Sequence, residues 1–380
     1  MSTRNREQFI DATRGLAMLG VMTAHFGWIF SSLHPEFTLG IQLSTYLEPS
    51  APTFMLISGA LLGYIYEKRQ RQLGAFATKL IDRGMFLLTA GHLVIMLAYL
   101  SYAGGLAGAV TFAQIIDAIG VAIIVGPILI SRLGAGARLA LGVGMFAMTW
   151  LAIALWHPDS AGLQWLKDTL FGAELDRRSQ WGYNFPLVPW ISVYIVATAL
   201  GQKLAIARIE RGDAAVIRLL LGYAAIGFAT VVALRLGWRL LQGQFSGDVV
   251  PGTHSYVLYS LTDVHRKWPP SPAYFVYNTS ISMLLLAGLF HIEQKGWLRK
   301  SMALLTLIGQ NSLFVFLVQE HVYVSWLWLA NPPMQYWALA YLVTIGVNLA
   351  ALFLWVRIGA TRYFTVGFGS AWGPRQQGAV

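Results

Sequence analysis

The stretch Phe9–Phe30, FIDATRGLAMLGVMTAHFGWIF, decides the fold class of this chain. Its residues are predominantly apolar, and about 20 such residues in a helix cross the hydrocarbon core of a bilayer. Three ionisable residues interrupt the stretch, namely Asp11, Arg14 and His25. Because a charge inside a bilayer is costly, ionisable groups within a span are functional candidates by default. The stretch therefore predicts a membrane-spanning helix that carries chemistry.

The rest of the chain has the same apolar character. Of its 380 residues, 56% are hydrophobic and only 12% are charged, which is about half the charged fraction of soluble domains. We predict an all-α, polytopic transmembrane helix bundle that forms a single domain over residues 1–380. Its spans, about ten by the length criterion, are predicted at Phe9–Phe30, Thr45–Ile65, Leu80–Tyr102, Phe112–Ile130, Arg138–Trp156, Leu187–Ala207, Leu219–Leu240, Tyr274–Ile292, Met302–Leu329 and Tyr336–Val356.

The basic residues predict the orientation of these spans. With ten spans, 19 of the 27 Lys and Arg residues fall on the side of the N-terminus and seven on the other. By the positive-inside rule, both termini are expected in the cytoplasm, in a multi-pass protein of the cell (inner) membrane. The net charge of +10 then indicates contact with anionic lipid or phosphate. No zinc-finger or basic–aromatic pattern indicates nucleic acid.

Two longer segments are expected outside, at 157–185 and 242–273. Long loops beside a bundle are usually functional or disordered. Their aromatic side chains form either a carbohydrate-stacking wall or an ordinary interfacial belt; they are Trp165, Trp181, Tyr183, Tyr256, Tyr259 and Trp268.

The spacing within the first span predicts one functional face. Arg14 and His25 are eleven positions apart, which is about three helical turns, so both project from one side about 16 Å apart along the axis. Asp11 lies on that side too, within pairing reach of Arg14. A phosphate-bearing acyl carrier gripped near Arg14 would reach His25, whose neutral imidazole takes the proton of an acceptor. The alternative is a headgroup salt bridge and a helix–helix hydrogen bond.

Several motifs resemble those of membrane-bound acyltransferases. The I-D-x-x-R-G pattern ending at Gly15, ten residues before His25, resembles the opening helix of acyltransferase family three and of the heparan-α-glucosaminide N-acetyltransferase-like family. The resemblance continues in order along nearly the whole chain, in Pro52–Tyr64 with Ser58, at Arg83, in Ile115–Ala122 with Asp117, in Asn184–Gly201 with Trp190, in the K-x-PPS motif of Arg266–Leu286, and in Leu307–Val324 with Glu320 and His321.

The resemblance implies transfer of an acyl group, most often acetyl, from cytosolic acyl-CoA to a sugar hydroxyl or amine, or to another small-molecule acceptor, on the far side. It implies His25 as the catalytic base and Arg14 at the donor site. His34 is a second choice for the base, since the animal enzyme of this family uses a histidine slightly further along. Ser58 and Arg83 are expected at the donor, although Arg83 would equally serve to snorkel to the surface.

The remaining candidates have two possible roles. Asp117, Trp190, Glu320 and His321 are expected either to bind the acceptor or orient the base, or to form interhelical contacts. The sequence shows no metal-ligand cluster, and the absence of cysteine excludes an acyl-cysteine intermediate. Direct transfer is favoured over an acyl-histidine.

Two other classes of function stay open. A transporter or flippase for a glycan or lipid-linked substrate also places ionisable groups in helices, although no matching halves of the inverted-repeat kind are evident here. A membrane sensor that responds to titration of His25 is a third possibility. The acceptor, the choice of acetyl or succinyl, and the oligomeric state are not determined by the sequence.

Overall fold

The computed structural model describes residues 7–68, 73–100, 105–111, 114–173, 185–242 and 254–360. Within these ranges the chain is helical, and no strand is formed. Parts of both predicted outer loops, 174–184 and 243–253, lie outside the described residues, as do the predicted span ends at Tyr102 and Phe112.

The described helices follow one another along the chain with short connections. They are α1 (Gln8–Leu33), α2 (Thr38–Tyr46), α3 (Ser50–Lys68), α4 (Leu73–Phe86), a π-helical turn (Leu87–Gly91), α5 (His92–Tyr99), α6 (Leu106–Thr111), α7 (Ile115–Arg132), α8 (Ala135–Leu155), α9 (Ala161–Leu170), α10 (Leu187–Arg211), α11 (Asp213–Gln242), α12 (His254–Thr262), α13 (Pro272–Lys295), α14 (Arg299–Gln310), α15 (Ser312–Glu320), a second π-helical turn (His321–Leu327), α16 (Trp328–Ala330), a 3₁₀ turn (Met334–Tyr336) and α17 (Trp337–Arg357).

Nine described helical segments are long and apolar enough to cross a membrane, which confirms the all-α, polytopic bundle. The predicted second span coincides with α3, which is not among the nine. Twelve of the 19 residues of α3 are buried in the protein, so neighbouring helices rather than lipid surround it. Its polar residues, such as Thr53, are therefore tolerated.

Contacts between the helices define their directions. α1 is antiparallel to α3, since Gly20 lies against Ser50 and Glu7 against Tyr64. α3 is parallel to α10, and the C-terminal turns of both come to the N-terminus of α1. There Glu7 pairs with Lys68 at 2.7 Å and with Arg208. We call this end of the bundle, which carries Lys68, Arg138 and Arg208, the basic end.

The predicted ninth span is wrong in its first part. The segment that crosses begins at Ser312, and the residues before it form the separate helix α14, which packs across α1. The chain turns at Asn311, whose side-chain amide donates to the carbonyl of Leu307 at 2.9 Å. The polar residues at the end of α14 thus separate two helices. The apolar residues on either side had predicted a single helix.

Glycines allow α14 and α1 to approach closely. A Cβ atom on Gly309 would lie 1.8 Å from the carbonyl oxygen of Asp11. This oxygen belongs to the backbone, so it cannot move aside as a flexible side chain would. The candidate active site includes residues next to Gly309 and Asp11, so the crossing of α14 and α1 determines where the site lies.

We expect Gly309→Ala to lower the free energy of unfolding by about 1–3 kcal/mol, because the added methyl group must push two helices apart. Thermal unfolding of the detergent-solubilised protein measures the change. Gly288→Ala is the matched control, since Gly288 lies inside α13 and nothing is within 4 Å of its Cβ position. Equal stability of the two variants would contradict the close crossing.

Candidate active site

A cavity of about 790 Å³ lies inside the bundle between α1, α3, α7 and α10. Arg14 and Arg83 line it near the basic end, and His25 lines it further along α1. Lys267 and Trp268, from the loop that precedes α13, line it toward the opposite end. The cavity thus connects the two ends of the predicted functional face of α1.

Arg14 is held at its place by contacts from α1 and α15. Its Nη2 donates to Oγ of Ser312 at 2.9 Å, and its Nη1 lies 3.9 Å from Oδ1 of Asp11. Asp11 is buried, and its Oδ2 accepts from Nε2 of Gln310 at 3.3 Å. The side chain of Arg14 is 14% exposed and lines the cavity.

Ser58 and Arg83 join Arg14 on the wall of the cavity. Ser58 comes from α3 and Arg83 from α4, so three different helices contribute to this part of the site. Guanidinium groups are suited to phosphate because their fork of donors matches its oxygens. This part of the cavity can bind a phosphate-bearing ligand.

His25 occupies the cavity wall with its Nδ1 turned toward α15. Nδ1 lies 3.0 Å from Nε2 of Gln319 and 3.3 Å from Oε1 of Glu320. The imidazole is 27% exposed. Since Nδ1 faces α15, Nε2 is the nitrogen that remains for a molecule in the cavity.

Glu320 is fully buried and firmly held. Its Oε2 accepts a hydrogen bond from the hydroxyl of Tyr99 at 2.9 Å, and its Oε1 accepts one from the amide of Gln319 at 2.8 Å. A buried carboxylate beside one imidazole nitrogen fixes the ring and stabilises the imidazolium that forms when the other nitrogen takes a proton. When the proton of the neutral ring is on Nδ1, facing the carboxylate of Glu320, Nε2 of His25 can act as a general base.

The other two candidate histidines do not line the cavity. His34 has its Nε2 2.9 Å from the carbonyl oxygen of Pro332, and its ring packs against Phe30. Nε2 of His321 lies 3.0 Å from the carbonyl oxygen of Val94. Both imidazoles link backbone segments, so the geometry favours His25 over His34 as the base.

Asp117 and Trp190 also lie away from the cavity wall. Asp117 is in the first turn of α7, where its Oδ2 accepts from the backbone N–H of Gln114 at 2.9 Å and its Oδ1 lies 2.9 Å from Nδ1 of His92. Trp190 is fully buried and packs edge-to-face against Phe275. Their contacts are those of a helix cap and of a core residue.

Several residues of the site were not candidates from the sequence. Tyr99, Gln319 and Glu48 stand out only because the fold brings them to His25 or to the cavity. The proposed aromatic wall contributes Trp268, whereas Trp165, Tyr256 and Tyr259 do not line the cavity, and Trp181 and Tyr183 lie outside the described residues. In the part of the chain that the structure describes, no three metal-ligating side chains are grouped.

Comparison with protein families gives a match over much of the chain. The model described as heparan-alpha-glucosaminide N-acetyltransferase, catalytic, matches residues 6–226, more than half of the chain. The matched range contains Arg14, His25, Ser58 and Arg83. Among curated proteins, no sequence matches the chain.

Proposed function

The chain belongs to the heparan-alpha-glucosaminide N-acetyltransferase catalytic family, and on this basis we propose that it transfers an acetyl group from acetyl-CoA to a sugar hydroxyl or amine across the bilayer. The observation that carries the proposal is the single cavity lined by both Arg14 and His25. Family membership and the apolar helices make the protein a multi-pass membrane protein of an acetyltransferase family. The donor, the acceptor and the roles below are our proposal.

The donor enters from the basic end, which the positive-inside rule assigns to the cytoplasm. Arg14 and Arg83 bind phosphate groups of acetyl-CoA, and Ser58 lines the same part of the cavity. The thin arm of the donor then extends along the face of α1, over the roughly 16 Å that separate Arg14 from His25 on a straight helix. This brings the thioester to the imidazole.

The transfer is a direct one. Nε2 of His25 takes the proton from the acceptor hydroxyl or neutral amine as that oxygen or nitrogen attacks the carbonyl carbon of the thioester. The carbon–sulfur bond breaks, and the CoA thiolate leaves and takes up a proton. Glu320 stabilises the imidazolium formed in between. Because one cavity holds both reactants close together, proximity raises the rate of transfer further.

The experiment uses the purified protein in proteoliposomes, with labelled acetyl-CoA on one side and a panel of sugars on the other. Labelled sugar across the membrane supports the proposal, and its absence with every sugar overturns it. Direct transfer predicts sequential kinetics. A burst of acetylated protein without acceptor would instead show a covalent acyl-histidine route.

Arg14→Lys is expected to raise the Kd for acetyl-CoA about tenfold, because a point charge replaces a fork that binds phosphate and Ser312 together. Equilibrium binding of labelled acetyl-CoA measures the change. Arg211→Lys, an exposed arginine at the end of α10, is the matched control and should bind as the unaltered protein does. Identical affinities for both variants would remove Arg14 from the donor site.

The cavity also suits the alternative function, a transporter or flippase, since such proteins bind their substrate between the helices of the bundle. The two functions differ in their need for the thioester. Passage of a labelled glycan through proteoliposomes without CoA would favour transport, whereas acetylation of the glycan only with acetyl-CoA favours the transferase.

A further inference from the structure

The outer end of the cavity carries a lysine between two aromatic rings. Nζ of Lys267 lies 5.1 Å from the ring centre of Phe185 and 4.8 Å from that of Trp268. All three residues line the cavity, and so does Glu48 from the turn before α3. These four residues, which we call the outer cluster, are separate from the Arg14 part of the site.

In the described part of the chain, the ammonium group of Lys267 has no ionic partner within 4 Å. Among the described residues it makes no hydrogen bond or ion pair within 4 Å, and its contacts are the two aromatic faces. The carboxylate of Glu48 acts on Lys267 electrostatically from a greater distance, and it lies 3.1 Å from Nδ1 of His265. A charge withdrawn from water is costly unless it is paired, and cation–π contacts compensate only part of that cost. A ligand that brings an anion would complete the pairing.

We propose that Lys267 anchors the acceptor and that the acceptor carries an anionic group, a carboxylate or a phosphate, on the part of the molecule that does not react. The proposal rests on the proposed function and names the substrate class of the same cavity. The ammonium binds the anionic group while the sugar ring stacks on Trp268, as aromatic side chains do with apolar ring faces. The reacting hydroxyl or amine then points along the cavity toward His25.

The pH dependence of the binding follows from the same residues. Burial lowers the pKa of Lys267 to about 8, and the carboxylate of Glu48 acts in the opposite direction. Asp263 and His265 are the other titratable groups near Glu48. Lys267 is therefore charged below pH 8 and loses its charge above it, so binding of an anionic acceptor is expected to weaken as the pH rises from 7 to 9.

The test compares three probes on the full-length protein saturated with CoA: methyl glucuronide, glucose 1-phosphate and the uncharged methyl glucoside. Ligand-detected saturation-transfer NMR gives the Kd of each. We expect at least one anionic probe to bind tenfold or more tightly than the glucoside at pH 7. Preference for glucuronide identifies a carboxylate and preference for glucose 1-phosphate a phosphate.

Lys267→Met should abolish that preference and leave the affinity for CoA unchanged, while Lys267→Arg should keep it. Lys300→Met, at an exposed lysine of α14, is the matched control. If Lys267→Met fails to fold, the pH titration of the unaltered protein gives the same readout. The proposal is overturned if the glucoside binds as well as both anionic probes, or if the preference survives in Lys267→Met. Because binding is measured without transfer, this failure is distinct from absence of acetyl transfer.

Discussion

His25→Gln is expected to lower the rate of acetyl transfer by about 10²–10⁴-fold, the usual contribution of a positioned general base. The glutamine side chain has similar reach but no basic nitrogen, so the acceptor would have to lose its proton to water. Arg14 and Ser58 are untouched, and the affinity for acetyl-CoA should stay the same. Steady-state transfer with labelled acetyl-CoA, together with equilibrium binding of the donor, measures both quantities.

His34→Gln is the matched control, because it removes another imidazole near the C-terminal end of α1. His34 contacts the backbone of Pro332 and the ring of Phe30, so its replacement should alter stability and leave transfer within about twofold of normal. The assignment of the base would be wrong if His34→Gln abolished transfer and His25→Gln retained it.

The sequence was sufficient for the architecture because each span must satisfy a simple physical requirement, an apolar length that matches the bilayer. It was also sufficient for the relation between Arg14 and His25, since helical periodicity fixes which residues share a face. The break at Asn311 departs from the prediction. A local polar turn ends α14 there, and hydropathy averaged over a window does not show such a turn.

The partner of His25 could not be chosen from the sequence. Asp117 and Glu320 are both carboxylates within predicted spans, and both proved to be buried beside a histidine. Asp117 lies by His92 and Glu320 by His25, a difference that depends on which helices pack together. The same holds for Tyr99 and Lys267, whose roles arise from residues more than 80 positions away in the chain.

Glu320→Gln is expected to lower the transfer rate by about 10²-fold, because an amide cannot stabilise the imidazolium that forms on His25. The substitution keeps the shape of the side chain and an acceptor for the hydroxyl of Tyr99, so the fold should be retained. Asp117→Asn is the matched control. It also removes a buried carboxylate from beside a histidine, but that histidine, His92, does not line the cavity, so transfer should be nearly unchanged.

A double substitution separates a role through His25 from a general effect on structure. If Glu320 acts by orienting and stabilising that imidazole, replacing Glu320 should have no further effect on the rate once His25 is glutamine. The rate losses of the two single variants will then not add in the double variant. The double variant should then be about as active as His25→Gln alone. A further 10²-fold loss in the double variant would show that Glu320 acts on the acceptor or the donor directly, and the two residues would have to be assigned independent roles.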